Sequence, residues 1–400
     1  MKALFYTNEF PPYIYGGAGV HVDYLTRELS QLCDVEVRCF GDQHVKQEHL
    51  KATGYGWDKT SYTAPGSLHP VFGALQRGLD FNTTHVDANV VHLHTWYTHF
   101  AGLVTKLNYQ IPMVLTVHSL EPLRPWKREQ LGGGYDFSVW IEKTAIESAD
   151  AVIAVSEGTK SDILNFFNVD PAKVHVIYNG INLREYQKVH APEVLKKYGV
   201  DPDLPYVLFV GRITRQKGII HLVNAIQHFS PGTQIVLCAG APDTPEIAAE
   251  MKEAVARASH AHGNVVWIAQ MVPLEEKVAL YSHARLFCCP SIYEPFGIIN
   301  LEAMACNVPI VASKLGGMKE IVVEGETGFL VPLEQQDESP FSPINPDQFS
   351  RDLAEKINVL MADTELAARM GAAGRARAEA VFGWEAIAKQ TLALYESLVK

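Results

Sequence analysis

Short apolar runs rich in β-branched residues alternate with amphipathic stretches from one end of the chain to the other. Ala3–Tyr6, Val35–Phe40, Val90–Leu93, Met113–Val117, Ala151–Val155 and Val174–Ile177 predict one series of strands. Tyr206–Val210, Gln234–Ala239, Val265–Ile268, Leu286–Cys289 and Pro309–Ala312 predict a second. The runs lack the in-out alternation of a sheet with one wet face, so each series reads as a buried parallel sheet. Helical periodicity predicts helices at His21–Leu32, Val139–Ser148, Gly158–Phe167 and Gly218–Phe229, and three more at Pro346–Met361, Glu365–Ala380 and Trp384–Leu398. After Ile177, Tyr178-Asn179-Gly180-Ile181-Asn182 leads into a charged, Pro-containing stretch that ends at Pro205. The pattern therefore predicts an α/β chain of two doubly wound, Rossmann-like lobes, residues 1–180 and 181–382, facing a central cleft. The last helix, 383–400, is expected to pack back on the first lobe. Glu334–Pro343 is polar and Pro-containing and predicts a surface loop. Ligands of open α/β sheets sit beyond the carboxyl ends of the strands, which makes the post-strand residues the ones to inspect.

Length and charge narrow the picture. Four hundred residues exceed one hydrophobic core, and 47% hydrophobic with 20% charged residues excludes a disordered or fibrous chain. Lys+Arg 34 against Asp+Glu 45 leaves a net charge of −11 with no basic block, so neither nucleic acid nor an anionic membrane is expected as the main partner. No apolar run is long enough to span a bilayer. The start, Met1-Lys2 running into Ala3–Tyr6 and broken by Glu9 and Pro11-Pro12, does not read as a signal peptide. Cys33, Cys39, Cys238, Cys288, Cys289 and Cys306 form no C-x-x-C pair, which fits reduced, buried thiols and a cytoplasmic location.

Three stretches carry chemistry. The loop after the first strand ends in Gly16-Gly17-Ala18-Gly19, where the backbone can approach a ligand and a helix N-terminus offers free amides. A dinucleotide fingerprint is a near miss, because Gly17-x-Gly19 continues to Val22 and the loop from Thr7 is too long for the tight turn. The second lobe opens with Arg212, Arg215 and Lys217 directly before a helix, a set suited to a diphosphate, with Arg212 and Lys217 expected at a cleft surface. The third stretch runs from Glu294, in a loop right after a strand, through Phe296-Gly297-Ile298 to Glu302 on an apolar helix. A carboxylate at Glu302 needs a partner. The two carboxylates could hold hydroxyls at two ends of a sugar nucleotide while the Phe296–Ile298 amides face its phosphates. Two features are discounted: His92, His94 and His99 surround a strand end but alternate in direction, and Asp201-Pro202-Asp203 is explained by turn chemistry. No metal site is expected.

Glu294…Glu302 matches the E-x7-E pattern of retaining GT-B glycosyltransferases of the glycogen-synthase-like group, and the chain resembles that group over essentially its whole length. It is most like the short, actinobacterial-type glycogen synthases, a subgroup regarded as α-maltose-1-phosphate synthases. The likeness lies in Tyr13-Ile14-Tyr15-Gly16-Gly17-Ala18-Gly19-Val20-His21, His94-Thr95-Trp96-Tyr97, Thr116-Val117-His118-Ser119 on to Lys127, and Glu129–Tyr135. The resemblance implies a retaining, metal-independent transfer of glucose from an NDP-glucose, ADP-glucose foremost, with no cofactor. The implied acceptor is glucose 1-phosphate, giving α-maltose 1-phosphate; the alternative is the end of an α-1,4-glucan, and a sugar-nucleotide binder or epimerase is a further one. The Lys-x-Gly-Gly of the longer glycogen synthases is missing, which argues against a long glucan. By the same resemblance His118, Arg212, Lys217 and Glu294 are catalytic, and Gly16, Gly17, Gln270, Met271, Phe296, Gly297, Ile298 and Glu302 bind the donor. Tyr15, Trp96, Arg124, Trp126 and Lys127 are assigned to the acceptor, with Trp126 as a stacking face. Arg124, Lys127 and Arg128 are taken as the spare cations for its phosphate. The expected partners are a nucleotide sugar and a sugar phosphate or α-glucan, with no nucleic acid and no membrane; a homodimer is left open.

Overall fold

A computed structural model describes residues 1–336 and 341–399. The described chain divides into two units, Met1–Gly180 with Trp384–Lys400, and Ile181–Gly383. The first is built on strands β1 (Lys2–Thr7), β2 (Asp34–Phe40), β3 (His44–Lys46), β4 (Leu50–Tyr55), β5 (Val90–His94), β6 (Met113–Val117), β7 (Ala151–Ala154) and β8 (Val174–Val176). Their order is β3-β4-β2-β1-β5-β6-β7-β8, parallel except for the β3/β4 pair. Both faces are dry. Phe5 and Val37 point into a core with Val22, Leu25 and Tyr395, while Leu4 and Tyr6 point into another with Leu93, Leu115 and Ile146. Burial on both faces is why these strands show no alternation in sequence.

The second unit carries β9 (Tyr206–Arg212), β10 (Gln234–Gly240), β11 (Val265–Ile268), β12 (Leu286–Cys289), β13 (Ile310–Ser313) and β14 (Gly328–Val331), in the order β11-β10-β9-β12-β13-β14 and all parallel. Phe209, Leu222, Leu237, Val311, Phe349 and Leu353 share its core. Strand order reverses between β1 and β5 in one sheet and between β9 and β12 in the other. These are the switch points where open α/β sheets take ligands.

Three strands were not predicted. β3 and β4 form the edge of the first sheet, are only partly buried and contain Lys46, Lys51 and Gly54, so they carry no apolar run. β14 is four residues long and opens on a glycine. The first helix is Gly17–Leu29, starting inside the glycine run rather than at His21, and the helix predicted at Gly218–Phe229 is Ile219–Ala225 followed by a 3-10 turn, Ile226–His228. Residues 337–340 of the predicted loop Glu334–Pro343 lie outside the described residues. All six cysteines are free thiols, five of them buried.

Candidate functional site

In the second unit the loops after β9 and β12, the two strands flanking the switch point, bring charge together. The Ile292 amide donates to the Gln216 carbonyl at 2.9 Å. Gly218 has φ +59°, and a Cβ there would lie 2.1 Å from the Pro290 carbonyl oxygen, so only glycine allows these loops to close on each other. The closure sets the Lys217 ammonium 2.6 Å from Glu294 Oε2, which also accepts from Ser291 Oγ at 3.1 Å. Glu294 is 6% exposed, and Lys217 is half-buried. Arg212, at the end of β9, pairs with Asp243 at 3.1 Å. Gly297 has φ +100° and precedes the helix Ile298–Ala305, which turns the chain away from Glu294 without a side chain in the way.

Glu302, 4% exposed on that helix, has the partners its burial demands. Tyr186 and Lys277 donate to Oε1 at 2.7 and 2.9 Å, and Tyr281 donates to Oε2 at 2.9 Å. Burial, reinforced by the Glu302 charge, pushes the Tyr281 hydroxyl well up, so it stays a donor. Lys277 and both tyrosines were missed in the sequence, where they stand as isolated residues on amphipathic or irregular segments. Gln270 and Met271 follow β11 and are exposed, whereas Phe296 is buried against Phe382.

In the first unit Glu9 was also missed. Its Oε2 accepts from the Tyr15 and Gly16 amides at 2.7 and 2.8 Å, so a carboxylate of the chain itself already holds the start of the glycine loop. Gly17 opens the helix behind it, and Tyr15 is 59% exposed. His118 follows β6 and keeps a partly exposed edge while sitting deep among other imidazoles. Its Nε2 lies 3.0 Å from His94 Nδ1, at the end of β5, and the His21 ring meets it edge-on at 4.8 Å between centroids. Burial holds His94 and His118 well below the usual imidazole range and His21 at about 4, so all three are neutral near pH 7. His21 Nδ1 faces Asn179 Oδ1 at 2.6 Å, which makes that nitrogen the donor and leaves Nε2 buried without a partner.

The ligating atoms of His21, His94 and His118 lie within 4.8 Å of one another, a group of a kind that can hold a metal ion. This differs from the trio weighed in the sequence: His92 instead bonds Tyr395 and Thr116, and His99 stands apart from the group. Thr95, next to His94, has φ +66° and ψ 155°, an unusual backbone for a β-branched residue, and its hydroxyl donates to Asn8 Oδ1 at 2.7 Å.

The segment assigned to the acceptor differs from expectation in three respects. Trp126 is 8% exposed and Trp96 3%, the latter stacked on Tyr97 at 4.0 Å, so neither offers a free ring face. Arg124 is not spare: Glu121 lies 3.5 Å from it and Ser119 Oγ 3.1 Å. Arg128 is paired with Asp136 at 2.5 and 2.9 Å. The loop following His118 carries its own acids, which the basic run conceals when read alone.

Comparison with known proteins bears on the family and the fold. Residues 15–185 match the family model Glycosyltransferase Family 4, and residues 191–340 match Glycosyl transferases group 1. The chain is 46% identical to the α-maltose-1-phosphate synthase of Mycolicibacterium smegmatis and 44% identical to that of Mycobacterium tuberculosis, over the full length of both partners. It is 26% identical to the M. tuberculosis glycogen synthase over 99% of this chain and 94% of that one. Among solved structures, the sucrose-phosphate synthase of Thermosynechococcus elongatus matches with a TM-score of 0.80 at 24% identity, covering 100% of this chain and 99% of that one. Anabaena HepE in complex with UDP and glucose matches with 0.77 at 22%, covering 99% and 100%. The two sheets are those of the GT-B fold, and the chain belongs to the glycosyltransferase family that includes the mycobacterial α-maltose-1-phosphate synthases.

Proposed function

We propose that the protein transfers glucose from ADP-glucose to glucose 1-phosphate with retention of configuration, forming α-maltose 1-phosphate in the cytoplasm. The observation that carries this reading is the 46% identity to an α-maltose-1-phosphate synthase over the whole of both chains. The glycogen synthase likeness, at 26%, supports extension of an α-1,4-glucan as a second reading.

In the transfer, the bond from the anomeric carbon to the β-phosphate oxygen breaks and one to the acceptor's 4-hydroxyl oxygen forms. The hydroxyl proton goes to the leaving phosphate on the same face. Negative charge develops on that phosphate, where Arg212, Lys217 and the amides at Phe296–Ile298 are assigned to meet it. Arg212 and Lys217, now facing Asp243 and Glu294, are assigned to meet the diphosphate as well, and the reading is metal-independent. Glu294, ion-paired and bonded to Ser291, is a poor nucleophile and a good acceptor for the sugar's 3- and 4-hydroxyls. Glu302 with Lys277 takes the ribose, and the exposed Gln270-Met271 segment takes the base. The neutral His118 ring can donate to the 6-hydroxyl without bringing charge to the reacting carbon.

The test is ADP release from ADP-, UDP- and GDP-glucose crossed with glucose 1-phosphate and glycogen, with and without EDTA. ADP release dependent on glucose 1-phosphate and indifferent to EDTA is expected. Silence with every donor would sink the reading, and turnover on glycogen alone would favour the second one.

A further inference from the structure

A cavity of about 400 Å³ opens in the first unit, lined by Asn8, Phe40, Trp57, Lys59, Arg77 and Tyr97 among others. Three of these residues come from the carboxyl ends of β1, β2 and β5, so the cavity lies over the switch point of this sheet. Its size is within the range of small-molecule sites. Asn8 opens the loop that leads to the glycines and Tyr97 ends the His94–Tyr97 stretch; the other lining residues lie outside the motifs read in the sequence.

The chemistry of its wall is one-sided. Arg77, on the helix His69–Thr83, lies with its guanidinium 3.6 Å from the centre of the Phe40 ring and is half-buried. Among the described residues no carboxylate comes within ion-pair distance of it, and its Nε is buried without a hydrogen-bond partner. Burial lowers it to about 10, which still leaves it fully charged near neutral pH. Trp57 Nε1 is a second buried donor without a partner. Lys59 adds an exposed ammonium at the rim. Asp80, one turn along the same helix, acts on this charge from beyond ion-pair distance, and a half-buried cation with two unmatched buried donors is costly unless something acceptor-rich completes them. The guanidinium lies over the Phe40 ring and 5.7 Å from the centre of the Trp57 ring, and a guanidinium can meet a phosphate by a forked contact. Trp57 lines the cavity with an aromatic side chain of the kind that carries pyranose rings.

We propose that this cavity is the binding site for the anionic acceptor, with Arg77 and Lys59 holding the phosphate of a sugar phosphate and Trp57 lining its sugar. The inference rests on the reading of a phosphorylated acceptor given above. It assigns the phosphate to Arg77 rather than to Arg124, which Glu121 already engages.

The experiment is calorimetric titration of glucose 1-phosphate into the wild type and into Arg77→Gln, Arg77→Lys, Lys59→Ala and Arg124→Gln, with steady-state kinetics alongside. Losing a charge-assisted contact corresponds to a roughly ten- to hundredfold weakening. Arg77→Gln is expected to weaken glucose 1-phosphate by that factor in both Kd and KM while the KM for ADP-glucose stays put. Arg77→Lys should recover part of the loss, and Lys59→Ala should weaken binding several-fold. Inorganic phosphate should compete with glucose 1-phosphate in the wild type and not in Arg77→Gln. Melting curves identify a variant that fails to fold; since Lys59 is exposed, Lys59→Ala decides the matter if Arg77→Gln is lost. Unchanged affinity in the folded Arg77 and Lys59 variants, a loss confined to Arg124→Gln, or no binding to the wild type would overturn the proposal. If glucose 1-phosphate binds through Arg77 but elicits no ADP release, the site stands and the reaction assigned above falls.

Discussion

In the proposed reaction single residues carry the donor chemistry, and Lys217 would combine two roles in one side chain. Its ammonium neutralises Glu294, which is nearly buried, and it is assigned to the leaving diphosphate. Lys217→Ala should lower kcat by ~10²–10³, the usual result of removing one donor aimed at developing charge. It should also destabilise the fold by roughly 1–3 kcal/mol, because Glu294 is left without its partner. Adding Glu294→Gln should restore most of the stability and none of the turnover. Arg212→Ala should lose turnover at little thermal cost, its ion pair with Asp243 being partly exposed. Equal melting temperatures for Lys217→Ala and wild type, or full activity in either variant, would contradict this pairing. Much of this half of the site was legible in sequence: a cation run after one strand and two acids eight positions apart after another point to a single anionic ligand. The partners were not legible. Lys277, Tyr186 and Tyr281 reach Glu302 from segments far apart in the chain, and Glu9 reaches the glycine loop by a turn of the backbone. Arg77 was invisible for the same reason, since what marks it is a buried Nε without a hydrogen-bond partner, and that is a property of three dimensions.

Elements place the histidines. The helix Gly17–Leu29 contributes His21, the end of β5 His94 and the loop after β6 His118, three segments adjacent in space though nearly a hundred residues apart. The long central strands were legible because burial on both faces makes them continuous apolar runs. The edge strands β3 and β4 were not, since half-exposed positions with lysines carry no such run. The histidine cluster has a consequence for acid stability. His21 falls from 6.5 in the unfolded chain to about 4 in the fold, with burial as the main cause and the Asn179 contact opposing it. Between those values the unfolded chain binds a proton that the native one does not, so stability is fully present above 6.5 and is lost as pH falls toward 4. His21 alone corresponds to on the order of 3 kcal/mol across that window, and His94 and His118 act in the same direction. Denaturant unfolding at pH 7.5, 6 and 5 should show this loss in wild type and a shallower one in His21→Gln. Parallel pH dependences for the two proteins would remove His21 from the account.

At the scale of the whole chain, the first unit is discontinuous: its sheet comes from residues before Gly180, and it is completed by the helix Trp384–Leu398 after the second unit has been made. That helix is part of a core. A Cβ on Gly180 would come 2.4 Å from the Trp384 ring, so glycine there is what lets the indole lie flush on the backbone. His21 meets Trp384 edge-on at 5.3 Å, and the Tyr395 hydroxyl lies 2.5 Å from His92 Nδ1. Trp384, Ile387, Leu394 and Tyr395 are all buried. Burying each such side chain contributes roughly 1.5–3 kcal/mol, so the four together reach about 6–12 kcal/mol. This is comparable with the roughly 5–15 kcal/mol that separates a whole domain from its unfolded chain. Deleting residues 384–400 should therefore unfold the first unit while the second, with its own six-stranded sheet and core, persists. Calorimetry of the truncated chain should show a single transition, and amide exchange should show protection retained in β9–β14 and lost in β1–β8. During synthesis the same order applies: the second unit can complete its core first, and the first unit reaches full protection only when the last helix is released. Protection of β1–β8 in the truncated chain would mean that the strands before Gly180 close their core without the C-terminal helix, and that Trp384 and Tyr395 contribute far less than their burial implies.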